Sequence, residues 1–171
     1  MLSVIGLALL KTLASFLLEQ GLHTTVEYDI ENAPYWYYQE GGDQMCTFTY
    51  KEGGLESIEI AKKEANTLMN SRIKTLTTKV AYENFSKSST PKEKLMVEGF
   101  KNDPELPIFV NSYLVYEKVK HEGDEAITFV KACIDKESIM TYQTKRLKAL
   151  QKNIMIHKSD TALDDLEKEF L

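Results

Sequence analysis

Residues 55–85 constrain this chain more than any other stretch. Apolar side chains recur at Ile58, Ala61, Ala65, Leu68, Met69, Ile73, Leu76 and Val80, mostly three or four positions apart. That is the period of an amphipathic helix, and neither proline nor glycine interrupts it after Gly54. Such a helix runs for roughly 45 Å, which overhangs any sheet that 171 residues can build around it. Its far end must therefore meet another element or another subunit.

The segments on either side say what the helix lies against. Residues 44–50 (QMCTFTY) are β-branched and aromatic, and period-two alternation predicts a half-buried strand with Cys46, Phe48 and Tyr50 on one face. Gly53-Gly54 ends it. Residues 86–91 (SKSSTP) are the clearest flexible break. A charged stretch follows, with a short helix expected over 93–100 and longer ones denied by Pro104 and Pro107. Residues 108–120 and 126–134 then alternate as two strands around the turn His121-Glu122-Gly123-Asp124, a β-hairpin. Asp135 or Ser138 is placed to cap a helix over 139–157, and 159–171 reads as a separate acidic helix with a narrow stripe of Leu163, Leu166 and Phe170. Strand, long helix, hairpin and helix make an α+β fold: a small antiparallel-rich sheet packed by one long helix, with an apolar N-terminal helix and a C-terminal helical tail. The expected organisation is an apolar helix over 1–20, an acidic aromatic strap over 21–43, an α+β domain over 44–157 and a tail over 158–171.

The ends differ in chemistry from the body. Residues 1–54 carry two basic and seven acidic side chains and so hold the whole net charge of −5, whereas 55–171 carry 19 of each sign. An acidic chain with only two arginines, Arg72 and Arg146, argues against nucleic-acid binding. Residues 1–18 (MLSVIGLALLKTLASFLL) are apolar except at Lys11 and a few hydroxyls. Three readings stay open: an uncleaved membrane anchor or interfacial helix, a helix packed on the chain's own core or on a sister subunit, and a cleavable signal. Nothing basic precedes the run, no Ala-x-Ala stands near its end, and no cysteine there offers a lipoprotein site. Residues 28–38 hold five of the 17 aromatic rings, among them Tyr35 and Trp36. They form either a partner-binding surface or, more simply, a lid over the core.

Signs of chemistry are few. There is no Gly-rich phosphate loop, nucleophile elbow, HExxH or CxxC, and the three histidines are scattered, so no catalytic, cofactor-binding or metal-binding residue is expected. Cys46 and Cys133 fall on apolar faces of expected strands. If those strands are neighbours the pair can form a disulfide and fits an oxidising compartment; the residues alone favour two buried free thiols.

Three motifs carry a family resemblance: Ala33-Pro34-Tyr35-Trp36 at the entry; Glu59, Ala61, Lys62 and Ala65 in the long helix; and Phe129-Val130 leading to Asp135-Lys136-Glu137 before the last helix. Over about residues 32–150 the chain resembles the LPP20-like envelope proteins of Helicobacter and Campylobacter relatives, and more loosely the tumour-necrosis-factor-α-inducing proteins. The resemblance implies a small α+β domain, secreted or membrane-attached, without catalytic residues; some relatives are lipoproteins and some build disks around the flagellar motor. The expected function is therefore a non-enzymatic, periplasmic or inner-membrane-anchored subunit of a larger assembly or homo-oligomer, such as a flagellar-motor scaffold. It would touch the membrane through 2–18 and its protein partners through Leu7, Leu10, Leu17, Tyr35, Trp36, Leu163, Leu166 and Phe170. The alternative is a secreted or surface-exposed effector that binds a host or ligand partner through the aromatic cluster.

Overall fold

A computed structural model describes residues 33–37, 39, 41–85, 90–121 and 127–169. The elements are β1 (Gln44–Glu52), α1 (Glu56–Phe85), α2 (Pro91–Gly99), a 3-10 turn (Phe100–Asn102), α3 (Glu105–Tyr113), β2 (Val115–Lys120), β3 (Ile127–Asp135) and α4 (Lys136–Glu169). The fold is α+β, with a three-stranded antiparallel sheet of order β1-β3-β2. The expected N-terminal helix, the break at 86–89 and the hairpin tip at 122–126 lie outside the described residues.

Gly53 turns β1 into α1 with φ of +132°, a conformation that side-chain-bearing residues rarely adopt. The chain then runs back along the strand it has just left. Thr47 and Thr49 donate their hydroxyls to the carbonyls of Ala65 and Ala61, at 3.1 and 2.8 Å, which pins one turn of helix to each alternate residue of β1. Cys46, Phe48 and Tyr50 share one face of β1, as the alternation predicts. Met45, Thr47 and Thr49 face the long helix, whereas Cys46, Phe48 and Tyr50 lie on the opposite face, with Tyr50 exposed. Thr resembles a solvent-facing residue in an alternation count, but here both threonines are buried and each hydroxyl is satisfied by a helix carbonyl.

The first half of α1 covers the sheet and the second half passes beyond it. Met69, Ile73 and Leu76 close a core with Met45, Ile134, Ile139 and the α3 residues Leu106, Phe109 and Val110. Val80 and Ala81 belong to a second cluster with Val97, Leu147, Leu150 and Ile154. The overhang anticipated from helix length is thus filled by α2 and α4. Shared packing advances together along α1 and α4, from the cluster of Ile73 and Ile139, through the Gln143–Thr77 hydrogen bond at 2.8 Å, to the cluster of Val80 and Leu147. The two helices therefore run side by side in the same direction.

Two expectations are corrected. Residues 105–113 are helical and only 115–120 form the first arm of the hairpin. Pro104 caps α3 and Pro107 sits in its first turn, where backbone N–H groups have no intrahelical partner, so neither opposes the helix. The buried trio Leu106, Phe109 and Val110 has the i, i+3, i+4 spacing of a helix face. The last helix is one element, without a break near 158. Ser159 and Thr161 donate to the carbonyls of Met155 and His157, at 3.1 and 2.9 Å, four residues back. Their hydroxyls turn inward along the helix rather than capping a new one, and no glycine or proline follows Gly123 to stop it.

Because Leu147 is fully buried between the two long helices, Leu147→Ala is expected to cost about 2–5 kcal/mol of unfolding free energy. Ile60→Ala, on the exposed side of α1, should change it by about 0.5 kcal/mol or less. Urea titration of the two variants measures both.

Candidate functional site

The sheet face turned away from α1 is closed by the aromatic strap. Tyr37 N–H donates to the Pro34 carbonyl at 2.8 Å and Gln39 N–H to the Trp36 carbonyl at 3.1 Å, which folds the segment into successive turns. Tyr37 then meets Phe129 and Phe48 edge-on, with ring centroids 5.1 and 5.7 Å apart, and Trp36 lies 6.3 Å from Tyr37. The Lys118 ammonium sits 5.6 Å from the Tyr35 ring and 5.8 Å from the Trp36 ring. Trp36 and Tyr37 are buried, whereas Tyr35 is 81% exposed. Of the two expected strap contacts, then, Tyr35 is on the surface and Trp36 is part of the lid. Trp36→Ala should destabilise the fold by about 3 kcal/mol and Tyr35→Ala by less than about 0.5 kcal/mol, as read by thermal unfolding.

Under the strap, Cys46 and Cys133 stand directly opposite each other in the β1–β3 ladder, with Cα atoms 4.1 Å apart, and form a disulfide. The structure holds this bond rather than the two free thiols that the residues alone favoured. Strand adjacency decided the matter, and adjacency is a long-range fact. The bond staples positions 87 residues apart and is itself buried. Beside it, Lys131 is buried and pairs at 3.2 Å with Glu117, at the bulge where the β2 register shifts.

A polar clamp fixes α4 to the turn before α3. Tyr142 donates its hydroxyl to Asp103 Oδ2 at 2.6 Å, Arg146 Nε reaches the same oxygen at 2.6 Å, and Arg146 Nη1 reaches Glu105 at 2.7 Å. Burial first, then the Asp103 carboxylate, pushes the Tyr142 phenol well above its ordinary pKa. Asp135 accepts from Ser138 N–H at 2.8 Å and from its hydroxyl at 2.9 Å, so it is the cap of α4 and its carboxyl is held below the usual range. Nothing in the sequence announced the clamp, whose members stand about forty positions apart.

These groups do not converge on a reaction centre. The groove beside the clamp, about 330 Å³, is lined by Phe109, Tyr113 and Tyr142 with Glu105 and Lys145 at its rim, and holds no histidine or cysteine. His121 bonds through Nδ1 to Thr128, which in turn meets Ser57, a buried link between the sheet and the start of α1. Among the described residues no group of three or more His, Cys, Asp and Glu is placed to hold a metal ion.

The surface feature that stands apart is the end of α4. Up to Ile154 the helix docks on the body; from Met155 to Lys168 every side chain except His157 is exposed. Leu163 and Leu166 are 60% and 51% exposed, beside exposed Met155 and Ile156. Phe170, Leu7, Leu10 and Leu17 lie outside the described residues. No family model, curated protein or solved structure matches the chain. The three sequence motifs at Ala33–Trp36, Glu59–Ala65 and Phe129–Glu137 fall in the strap, in the turns of α1 above β1, and at the junction of β3 with α4.

Proposed function

We propose that this chain is a non-enzymatic structural subunit of the cell envelope, periplasmic or anchored in the inner membrane through residues 2–18, and that it works as a scaffold component of a larger assembly. The flagellar motor is the assembly that the family resemblance suggests. The observation that carries the reading is the projecting half of α4, an ordered helix that leaves four large apolar side chains in water, a cost that contact with another chain removes. The buried Cys46–Cys133 bond supports a location outside the reducing cytoplasm. Among the described residues no helix is long and apolar enough to cross a membrane, so anchoring falls to the residues before Asn32. The effector alternative draws less support, because Trp36 and Tyr37 are used inside the fold, and among the described residues of the cluster only Tyr35 is exposed.

Cell fractionation of the full chain and of one lacking residues 2–18 tests the proposal. The full chain is expected with the envelope fraction and the shortened chain in the soluble periplasmic or cytosolic fraction. Recovery of the shortened chain with the same envelope assembly would defeat the anchoring role.

A further inference from the structure

We propose that the partner of the outer face of α4 is a second copy of this chain, bound antiparallel across a two-fold axis close to Ile156. The inference deepens the scaffold reading and rests on it for its biological setting, but its physical basis is independent. The apolar stripe of the projecting half is not a continuation of the docking face. Ile154 is buried against the body, and Leu163 lies nine residues further on, which at 100° per residue places it on the opposite side of the helix. Ile156, Leu163 and Leu166 therefore point away from the chain's own core while remaining on one stripe.

The charge along the same stripe selects the occupant. Between Lys145 and Lys158 the helix carries five basic side chains and no acid, of which Arg146 pairs with Asp103 and Glu105 and Lys158 lies 4.0 Å from Glu93 of the body; from Ser159 to Glu169 it carries five acids and one base. The residues of the outer face are arranged about Ile156 as their own complement. Four positions before it stands Lys152 and four after it Asp160; seven before, Ala149 and seven after, Leu163; eleven before, Lys145 and eleven after, Glu167. Steps of four, seven and eleven all return to the same helix face. A second copy laid antiparallel about Ile156 sets Lys152 against Asp160, Lys145 against Glu167, and the small Ala149 against the exposed Leu163, each contact made twice. A parallel copy would instead oppose lysine to lysine and aspartate to aspartate. Lys152, Asp160 and Glu167 have no ion pair among the described residues, whereas Lys145 lies 3.7 Å from its own Glu105. An acidic or a basic foreign surface would satisfy one half of α4 and repel the other; a copy of α4 itself satisfies both.

The test is light scattering of the purified, detergent-solubilised full chain over a range of concentrations. A dimer of about twice the 19.6 kDa chain mass is expected, weakening as salt is raised. Lys152→Glu and Asp160→Lys each replace two attractions by two repulsions and should weaken the dimer by about tenfold. The chain carrying both changes should recover it, because each reversed residue again faces its opposite. Both positions are exposed, so unchanged circular dichroism of each variant separates lost association from lost folding. A full chain that stays monomeric overturns the proposal, as does one that dimerises only after residues 2–18 are removed, since the N-terminal segment would then occupy the face. A dimer insensitive to both reversals, or one weakened by each but not restored by the pair, also overturns it, because the contact would lie elsewhere or run parallel. These outcomes do not depend on where in the cell the protein resides, so they are distinguishable from failure of the envelope reading, which fractionation reports.

Discussion

The thirty residues of α1 commit the chain to two cores. Nine-residue strands support only the first half of such a helix, and the remainder would strand Val80, Ala81, Tyr82 and Phe85 in water. The remedy is α4, which leaves the central strand β3 in the same direction and follows α1 past the end of the sheet. Asp135 caps it, Gln143 joins it to Thr77 midway, and Leu147, Leu150 and Ile154 fill the second core. The rest of the structure depends on this pairing. Without it, α2 and the Asp103 turn would have nothing to pack against.

The polar interior determines how the parts register. Apolar clusters tolerate sliding, but Thr47 and Thr49 bond to particular carbonyls of α1, Arg72 to the carbonyl of Cys46, and Ser57 to Thr128 across the sheet. Helix carbonyls recur every turn, so Thr47 and Thr49 alone would allow α1 to shift by a turn, but such a shift would part the buried Ser57 from Thr128, at a cost of about 1–3 kcal/mol. The disulfide acts in the same sense between β1 and β3: Cys46 can face Cys133 in only one register, and a slip of one residue would reverse every side chain. Hydrophobic burial stabilises the fold and these few bonds select its geometry.

What the sequence displayed was local. The long helix, the extent of β1 and the short helix after the break each carry a local signal, although the Thr90–Glu93 capping box that starts the short helix was not read. What it concealed was either long-range or ambiguous at the single-residue level. The pairing of Cys46 with Cys133 required knowing that β1 and β3 are neighbours. Residues 108–113 fit a strand by alternation and a helix by the spacing of Leu106, Phe109 and Val110, and only packing on Met69 and Ile73 decided for the helix. Ser159 reads as the start of a separate helix because serine competes with helix backbone when unsupported, yet here it is carried within a helix already formed. For the candidate contact surface, the stripe of Leu163 and Leu166 was legible; that it lies opposite the docking face of the same helix was not, since the sequence does not say where docking stops.

That the two cores behave as one body is the claim on which the remainder stands, and native-state hydrogen exchange tests it most directly. The amides of Met69 and Ile134 report on the sheet-side core, and those of Val80 and Leu147 on the helical one. Their opening free energies are expected to agree within about 1 kcal/mol, because α1 and α4 run through both cores. A helical core that opens about 3 kcal/mol more readily than the sheet-side core would contradict this and make the far halves of α1 and α4 an independent module.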